Sequence, residues 1–316
     1  MRIVVLDGYT LNPGDLSWDP LRDLGPCEIY DRTPPDCVKE RVGEAEAVLT
    51  NKVVLDEALF SACSGIQYVG VLATGVNVVD IEAAHRRNIV VTNVPDYSTR
   101  SVAQHVFAHI LNLSIRVGDH ARSVRRGDWV RCQDFSYCLH ELIELADKKM
   151  GIIGMGRIGT QVAALAHAFG MDVLYYTRSK VGEVPGARSV PLESLVRESD
   201  IISLHCPLTE DTHQLMNAER IGWMKSGAFL INTGRGLLVE ESALADALND
   251  GRLGGAGLDV LATEPPLRDN PLLTAKNCFI TPHIAWATRE SRSRLLQAVV
   301  DNLKAFIGGA ATNVVD

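Results

Sequence analysis

Short apolar runs punctuate the chain: Ile3–Leu6, Ala47–Leu49, Tyr68–Leu72, Ile89–Thr92, Met150–Ile153, Val173–Tyr176, Ile201–Leu204, Phe229–Ile231, Gly257–Val260 and Phe279–Ile280. They are rich in Val, Ile and Leu and do not alternate with polar residues. That is the pattern of strands buried on both faces. Between them lie amphipathic stretches of helical length, such as Gly159–Phe169 and Glu240–Asn249. Strand alternating with helix predicts an α/β fold whose parallel sheets are covered on both sides.

One stretch differs. Ser101–Arg125 reads as a single long helix, opened by Ser101 and Gln104 as a capping box. It follows Asn93-Val94-Pro95, where the proline disfavours helical backbone at Val94. A turn followed by a long helix suits a crossing between domains. Pro282–Thr288, just before a final helix over Glu290–Ile307, suits a second crossing. Two crossings put both termini in one domain and insert the other. The expected domains are 1–95 with 287–316, and 96–286.

Composition narrows the class. The chain has 316 residues, 46 % hydrophobic and 22 % charged, which is enough material for two cores. This argues against a disordered chain, a collagen-like fibre or a small disulfide scaffold. A net charge of −8 argues against partners such as nucleic acid or an anionic membrane. No apolar run approaches the roughly 20 residues of a membrane helix. The opening run ends at Asp7, too soon for a signal peptide, and reads as a first strand. Seven cysteines, odd in number and without a CxxC pair, fit reduced thiols in a cytoplasmic protein.

The run Met150–Ile153 leads into Gly154-Met155-Gly156-Arg157-Ile158-Gly159, and a helical pattern then runs to Gly170 as its cap. Strand, GxGxxG, helix and strand within about 30 residues make a dinucleotide-binding fingerprint. Gly154 serves the tight turn, Gly156 lets a pyrophosphate approach the backbone, and Gly159 lets the helix pack against the strand. The helix N-terminus offers unpaired N–H groups to the anion. An NAD site usually ends its second strand in an acid that holds the ribose. Here that strand ends Tyr176-Thr177-Arg178-Ser179-Lys180. Arg178, Ser179 and Lys180 suit a 2′-phosphate, so NADP is expected in preference to NAD.

Three polar groups fall just beyond predicted strands: Arg235, Glu264 and His283. Arginine presents a planar fork to a carboxylate. Histidine moves protons near neutral pH. A neighbouring carboxylate favours its charged form. Singly each is unremarkable; beside a nucleotide fold they suggest chemistry.

These pieces together resemble the D-2-hydroxyacid dehydrogenases. The likeness rests on Gly154–Gly159, His205–Thr209, Ile231–Gly236, Gly255–Pro266 and Thr281–Thr288, and it covers nearly the whole chain. Val4–Trp18, Tyr30–Pro34, Gly70–Gly75 and Val94–Thr99 resemble most the glycerate dehydrogenase and hydroxypyruvate–glyoxylate reductase branch. The resemblance implies two Rossmann-like domains, with the nucleotide-binding domain inserted into the substrate domain. It implies hydride transfer between NAD(P)H and a small 2-keto or 2-hydroxy acid, in a cleft between the domains. Arg235 would bind the substrate carboxylate, His283 would be the acid/base, and Glu264 would tune it. Leu72, Ala73, Thr74 and Gly75 would offer backbone N–H groups to the substrate, and Trp286 would line its pocket. Val102, His205, Cys206, Pro207, Thr233, Gly234 and Asp259 would line the cofactor side. A homodimer is implied, through the long helix and the loop Trp129–His140.

Departures from the family pattern are Gly234 in place of Ala or Ser, Val76 in place of Tyr, Leu139-His140-Glu141 in place of a more apolar stretch, and Asp147 at a usual glycine position. Other readings are another activity of the same family, such as formate or phosphite oxidation, and a nucleotide-responsive scaffold resembling co-repressors. His105 and His109, one helical turn apart, are placed for packing or an interface rather than for a metal, since no HExxH pattern accompanies them.

Overall fold

Each apolar run is a strand in a computed structural model, which describes residues 1–179 and 181–315. Lys180 lies outside the described residues. The strands are β1 (Ile3–Val5), β2 (Cys27–Ile29), β3 (Ala47–Thr50), β4 (Tyr68–Val71), β5 (Val90–Thr92), β6 (Lys149–Ile153), β7 (Asp172–Tyr176), β8 (Ala187–Ser189), β9 (Ile201–Leu204), β10 (Phe229–Asn232), β11 (Gly255–Leu258) and β12 (Cys278–Ile280). The chain divides into two units, 1–98 with 287–316, and 99–286.

The first unit holds a parallel sheet in the order β2-β1-β3-β4-β5. Val4, Val48, Val69 and Val91 cover one face of it together with Phe60 and Leu55. Burying each such side chain contributes about 1.5–3 kcal/mol. The helix Arg289–Ile307 belongs to this unit. Phe306 meets the Tyr68 ring at 4.9 Å, and Asn302 Nδ2 donates to the Asn93 carbonyl at 2.9 Å. The Tyr68 hydroxyl lies 2.6 Å from Thr92 Oγ1, and burial pushes its pKa up to about 12. Arg292, almost fully buried, donates to both oxygens of Asp15 at 2.7 Å, so its charge is compensated inside the fold.

The second unit holds a seven-stranded parallel sheet, ordered β12-β11-β10-β9-β6-β7-β8. One face carries Ile202, Leu204, Leu230 and Leu258. The other carries Met150, Ile152 and Ile231, packed with Val106 and Ile110 of the helix Thr99–Ile115 and Val162 of the helix Arg157–Ala168. Apolar layers on both faces explain why these strands read as unbroken apolar runs.

The single helix expected over Ser101–Arg125 is two helices, Thr99–Ile115 and Val117–Arg125. Arg116 between them adopts φ +49, in the left-handed region. The left-handed residue is an arginine and Gly118 lies two residues beyond it inside the second helix, so the polar and apolar pattern runs through the break. Ser101 is also not an N-cap: the helix starts at Thr99, and the Ser101 hydroxyl donates to the Ala285 carbonyl. Asp147 keeps the left-handed backbone of the glycine expected there, at φ +62.

Candidate active site

In the second unit, β7 and β8 lie on one side of β6, and β9 to β12 lie on the other. The chain thus reverses its direction of progress between β6 and β9. Open parallel sheets bind ligands at such a point, outside the carboxyl ends of the strands. Gly154 follows β6 there, at φ +99. A Cβ on it would come within 2.5 Å of the Cys206 nitrogen and the His205 carbonyl carbon, so His205 and Cys206 press directly on the glycine turn. Gly159 has its own close approach, against the Gly154 carbonyl. Gly156 faces open space. It caps the helix Arg157–Ala168, which has no side-chain cap on its first N–H groups. Met155 is buried beneath the turn.

These features fit a dinucleotide. The uncapped helix start is suited to a pyrophosphate. Thr233, one residue beyond β10, carries the single buried side-chain polar atom among the described residues with no hydrogen-bond partner. A buried hydroxyl without a partner is costly, and a bound ribose or amide would satisfy it. Val102 is buried on the first turns of the helix Thr99–Ile115. Thr177 is half-buried beyond β7, with Arg178 and Ser179 exposed after it. The strand end carries no acid, but Asp211 supplies one in space, 2.5 Å from Arg178. Sequence reasoning missed it because the two residues are 33 apart. The Pro207 carbonyl accepts from Thr212 Oγ1 at 2.7 Å and so fixes the loop between them.

The neighbouring strand ends carry the other polar groups. Asn232 ends β10 and is buried; its side chain donates to the Arg235 carbonyl at 2.8 Å and accepts from Gly234 N at 3.0 Å. This holds the turn that presents Arg235. The guanidinium is exposed and donates to the Gly234 carbonyl at 2.8 Å. Among the described residues no carboxylate is paired with it. Beyond β11, Glu264 Oε1 accepts from Leu261 N at 3.1 Å, while Glu241 accepts from Ala262 N and Asn270 Nδ2 at 2.8 and 2.9 Å. Glu264 Oε2 accepts from His283 Nδ1 at 2.6 Å. Both side chains are about one-third exposed. With Nδ1–H committed to the carboxylate, Nε2 is left to carry a mobile proton.

Asp259 is buried one residue beyond β11. Its oxygens accept from Thr281 Oγ1 at 2.6 Å, Ile284 N at 2.9 Å and Ala285 N at 2.7 Å. It therefore pins the turn on which His283 sits at φ +53. Trp286, half-buried, ends this segment. The histidines elsewhere in this unit differ in character. Desolvation pushes His205 down to about 4; its ring lies 2.8 Å from Ser203 Oγ. Desolvation, aided by His105, pushes His109 down to about 4 as well. Both are neutral near pH 7. His105 and His109 meet at Thr281 Oγ1, at 2.9 and 3.3 Å, and no cluster of three metal-ligating side chains exists among the described residues.

Leu72–Gly75 belongs to the first unit, where it follows β4. Thr74 Oγ1 donates to the Val94 carbonyl at 2.8 Å, and Asn93 Nδ2 donates to the Thr74 carbonyl at 2.6 Å. The basic residues Arg122, Arg126 and Arg131 pair with Asp119 and Asp128. All seven cysteines are free thiols. No helix of the described residues is long and apolar enough to cross a membrane.

Residues 107–285 match the family described as D-isomer specific 2-hydroxyacid dehydrogenase, NAD binding domain. The chain is 48 % identical to a hydroxypyruvate reductase of Blautia hydrogenotrophica, covering 100 % of both chains. It is 40 % identical to a glycerate dehydrogenase of Methylorubrum extorquens over 91 % of each. Among solved structures it is similar to a D-lactate dehydrogenase from Aquifex aeolicus complexed with NAD and lactic acid. The TM-score there is 0.84 and the identity 33 %, covering 98 % of this chain and 96 % of that one. The glycine turn, the strand-end polar groups and these likenesses converge: the chain belongs to the D-2-hydroxyacid dehydrogenase family, oxidoreductases that use a nicotinamide cofactor on the CH–OH group of small 2-hydroxy acids.

Proposed function

We propose that the chain reduces hydroxypyruvate or glyoxylate, with NADPH preferred over NADH. The observation that carries the reading is the 2.6 Å pair of His283 and Glu264 on strand ends neighbouring that of Arg235, which pairs with no carboxylate among the described residues. Arg235 holds the substrate carboxylate through paired charge-assisted hydrogen bonds. Reduced nicotinamide, when bound, supplies the hydride to the keto carbon. The keto oxygen gains negative charge as the hydride arrives. His283 Nε2 gives that oxygen its proton, and the Arg235 guanidinium stabilises the charge before the proton arrives. Glu264 keeps the ring oriented. Gly154–Gly159, with Arg157 and Ile158 on the first helical turn, receives the pyrophosphate. His205, Cys206, Pro207, Thr233, Gly234 and Val102 shape the walls around the cofactor.

Names of relatives support the substrate class: one is a hydroxypyruvate reductase and another a glycerate dehydrogenase. Initial rates with hydroxypyruvate, glyoxylate and pyruvate, each with both cofactors, test the reading. The first two are expected to exceed pyruvate in kcat/KM; a preference for pyruvate would displace them.

The cofactor preference rests on Thr177-Arg178-Ser179. Asp211 must release Arg178 for a 2′-phosphate to take its place. Replacing Thr177 by Asp adds a fixed carboxylate beside that position. The NADPH/NADH ratio of kcat/KM is expected to fall at least about tenfold, since one close charge contact in a partly solvated site carries up to ~4 kcal/mol before desolvation. An unchanged ratio would remove Arg178 from phosphate recognition.

We also propose a homodimer through the face around the loop Trp129–His140. Val130 and Phe135 there are 89 % and 90 % exposed, and Val117 on the adjoining helix is 67 % exposed. Large apolar side chains left this exposed on one segment and the helix before it suit an interaction surface. The unchanged chain is expected to sediment as a dimer, and Val130→Asp with Phe135→Asp as a folded monomer. A chain that sediments as a monomer before substitution would contradict this.

A further inference from the structure

The turn Thr281–Ala285 is gripped from two sides. Asp259 binds it from the sheet. From the other side, the helix Thr99–Ile115 presents Ser101, His105 and His109, spaced four residues apart and therefore on one stripe. The Ser101 hydroxyl donates to the Ala285 carbonyl at one end of the turn. His105 and His109 converge on Thr281 Oγ1 at the other end. Their rings meet edge to face, with centroids 4.8 Å apart.

Asp259, His105, His109 and the Leu258 carbonyl all lie within bonding distance of the Thr281 hydroxyl. That hydroxyl has one hydrogen. Thr281 Oγ1 gives it to Asp259 Oδ1 at 2.6 Å, with the Leu258 carbonyl a longer second acceptor at 3.5 Å. The oxygen's lone pairs therefore accept from His105 Nε2–H and His109 Nε2–H. Thr281 is thus a committed hub, with one donation and two acceptances, half-buried between helix and sheet. Two residues further on, His283 stands at φ +53. Its N–H is shared between the Asp259 and Thr281 carbonyls, each at 2.9 Å. A non-glycine residue in that region is held there by its surroundings.

We propose that Thr281, clasped by His105 and His109, is a positioning residue that fixes the left-handed backbone of His283 and so aims its ring at Glu264. The proposal rests on the reading of His283 as the proton donor. Removing the Thr281 hydroxyl takes a partner from both imidazoles and from Asp259 Oδ1, which keeps the Ile284 N–H at 2.9 Å and the longer 3.4 Å contact of His105. The turn is then free to relax, and the ring leaves its line with Glu264.

The test uses the full chain with saturating NADPH and hydroxypyruvate. Thr281→Val is expected to lower kcat at least about tenfold, with the Kd for NADPH within about twofold of the unchanged chain. Thr281→Ser, which restores the hydroxyl, is expected to recover kcat to within about threefold. His105→Leu is expected to act in the same direction and serves if Thr281→Val does not fold. A second readout needs no turnover: the low-field proton resonance of His283 Nδ1–H, present in the unchanged chain, should vanish or broaden in Thr281→Val. Retention of kcat within about twofold in Thr281→Val, or in His105→Leu where Val does not fold, would overturn the proposal. So would a loss of NADPH affinity matching the loss of kcat that serine does not repair. If the resonance behaves as expected while the unchanged chain reduces no keto acid, the positioning role stands and the proposed function fails.

Discussion

Replacing His283 by Asn lowers the single-turnover rate of hydroxypyruvate reduction by roughly 10²–10⁴-fold, the usual contribution of a positioned general acid, while NADPH binding stays within about threefold. Asparagine is the suitable replacement because it tolerates the left-handed backbone that His283 adopts. The loss then reports the missing proton rather than a collapsed turn. Two other histidines of this unit cannot take over: His109 and His205 are each held near 4 by desolvation, so neither is an imidazolium at neutral pH. Stopped-flow mixing of the NADPH-bound variant with substrate isolates the chemical step. A rate within about threefold of the unchanged chain would remove His283 from the role of acid.

Replacing Arg235 by Ala lowers kcat/KM for the keto acid by about 30- to 1000-fold, the equivalent of losing about 2–4 kcal/mol of charge-assisted pairing with a carboxylate. Lysine recovers only part of the loss, because an ammonium cannot reproduce the planar two-pronged contact. Melting temperature is expected to be unmoved. The guanidinium is exposed and its one described bond is to the neighbouring Gly234 carbonyl, whereas Asn232 holds the turn independently of it. Steady-state kinetics paired with thermal denaturation separates the two effects. A variant that melts much lower, with substrate affinity intact, would make Arg235 a structural residue.

The legible part of the fold was the buried part. Ten of the strands each show as an apolar run, the edge strands β5 and β12 among them. The other two edge strands, β2 (Cys27–Ile29) and β8 (Ala187–Ser189), do not. Exposed positions within them, Glu28, Arg188 and Ser189, interrupt any apolar pattern. The break at Arg116 was invisible for a different reason. Left-handed backbone at an arginine leaves no mark in composition, and the flanking residues keep their helical pattern.

The candidate site divides in the same way. Its motif residues could be read because glycine spacing and strand-end polar groups are local in sequence. The groups that hold them could not. Asp211 reaches Arg178, Glu241 supports the segment after Leu261, and His105 reaches Thr281 across 176 positions. Such pairs depend on how helices lie against the sheet, and no short motif encodes that. The spacing of His105 and His109 was the one available signal. It correctly placed both imidazoles on one helical face, and only the fold could supply Thr281 as their common partner.

The account stands on hydride delivery to the keto carbon of a small 2-keto acid. The most direct measurement is isotopic: incubation of the unchanged chain with hydroxypyruvate and NADPH deuterated at both C4 positions, followed by mass spectrometry and NMR of the product. Glycerate carrying one deuterium at C2 for each cofactor oxidised is the predicted result. Cofactor oxidation that leaves no deuterium at C2, or no conversion of hydroxypyruvate or glyoxylate by a chain that binds the cofactor, would contradict it.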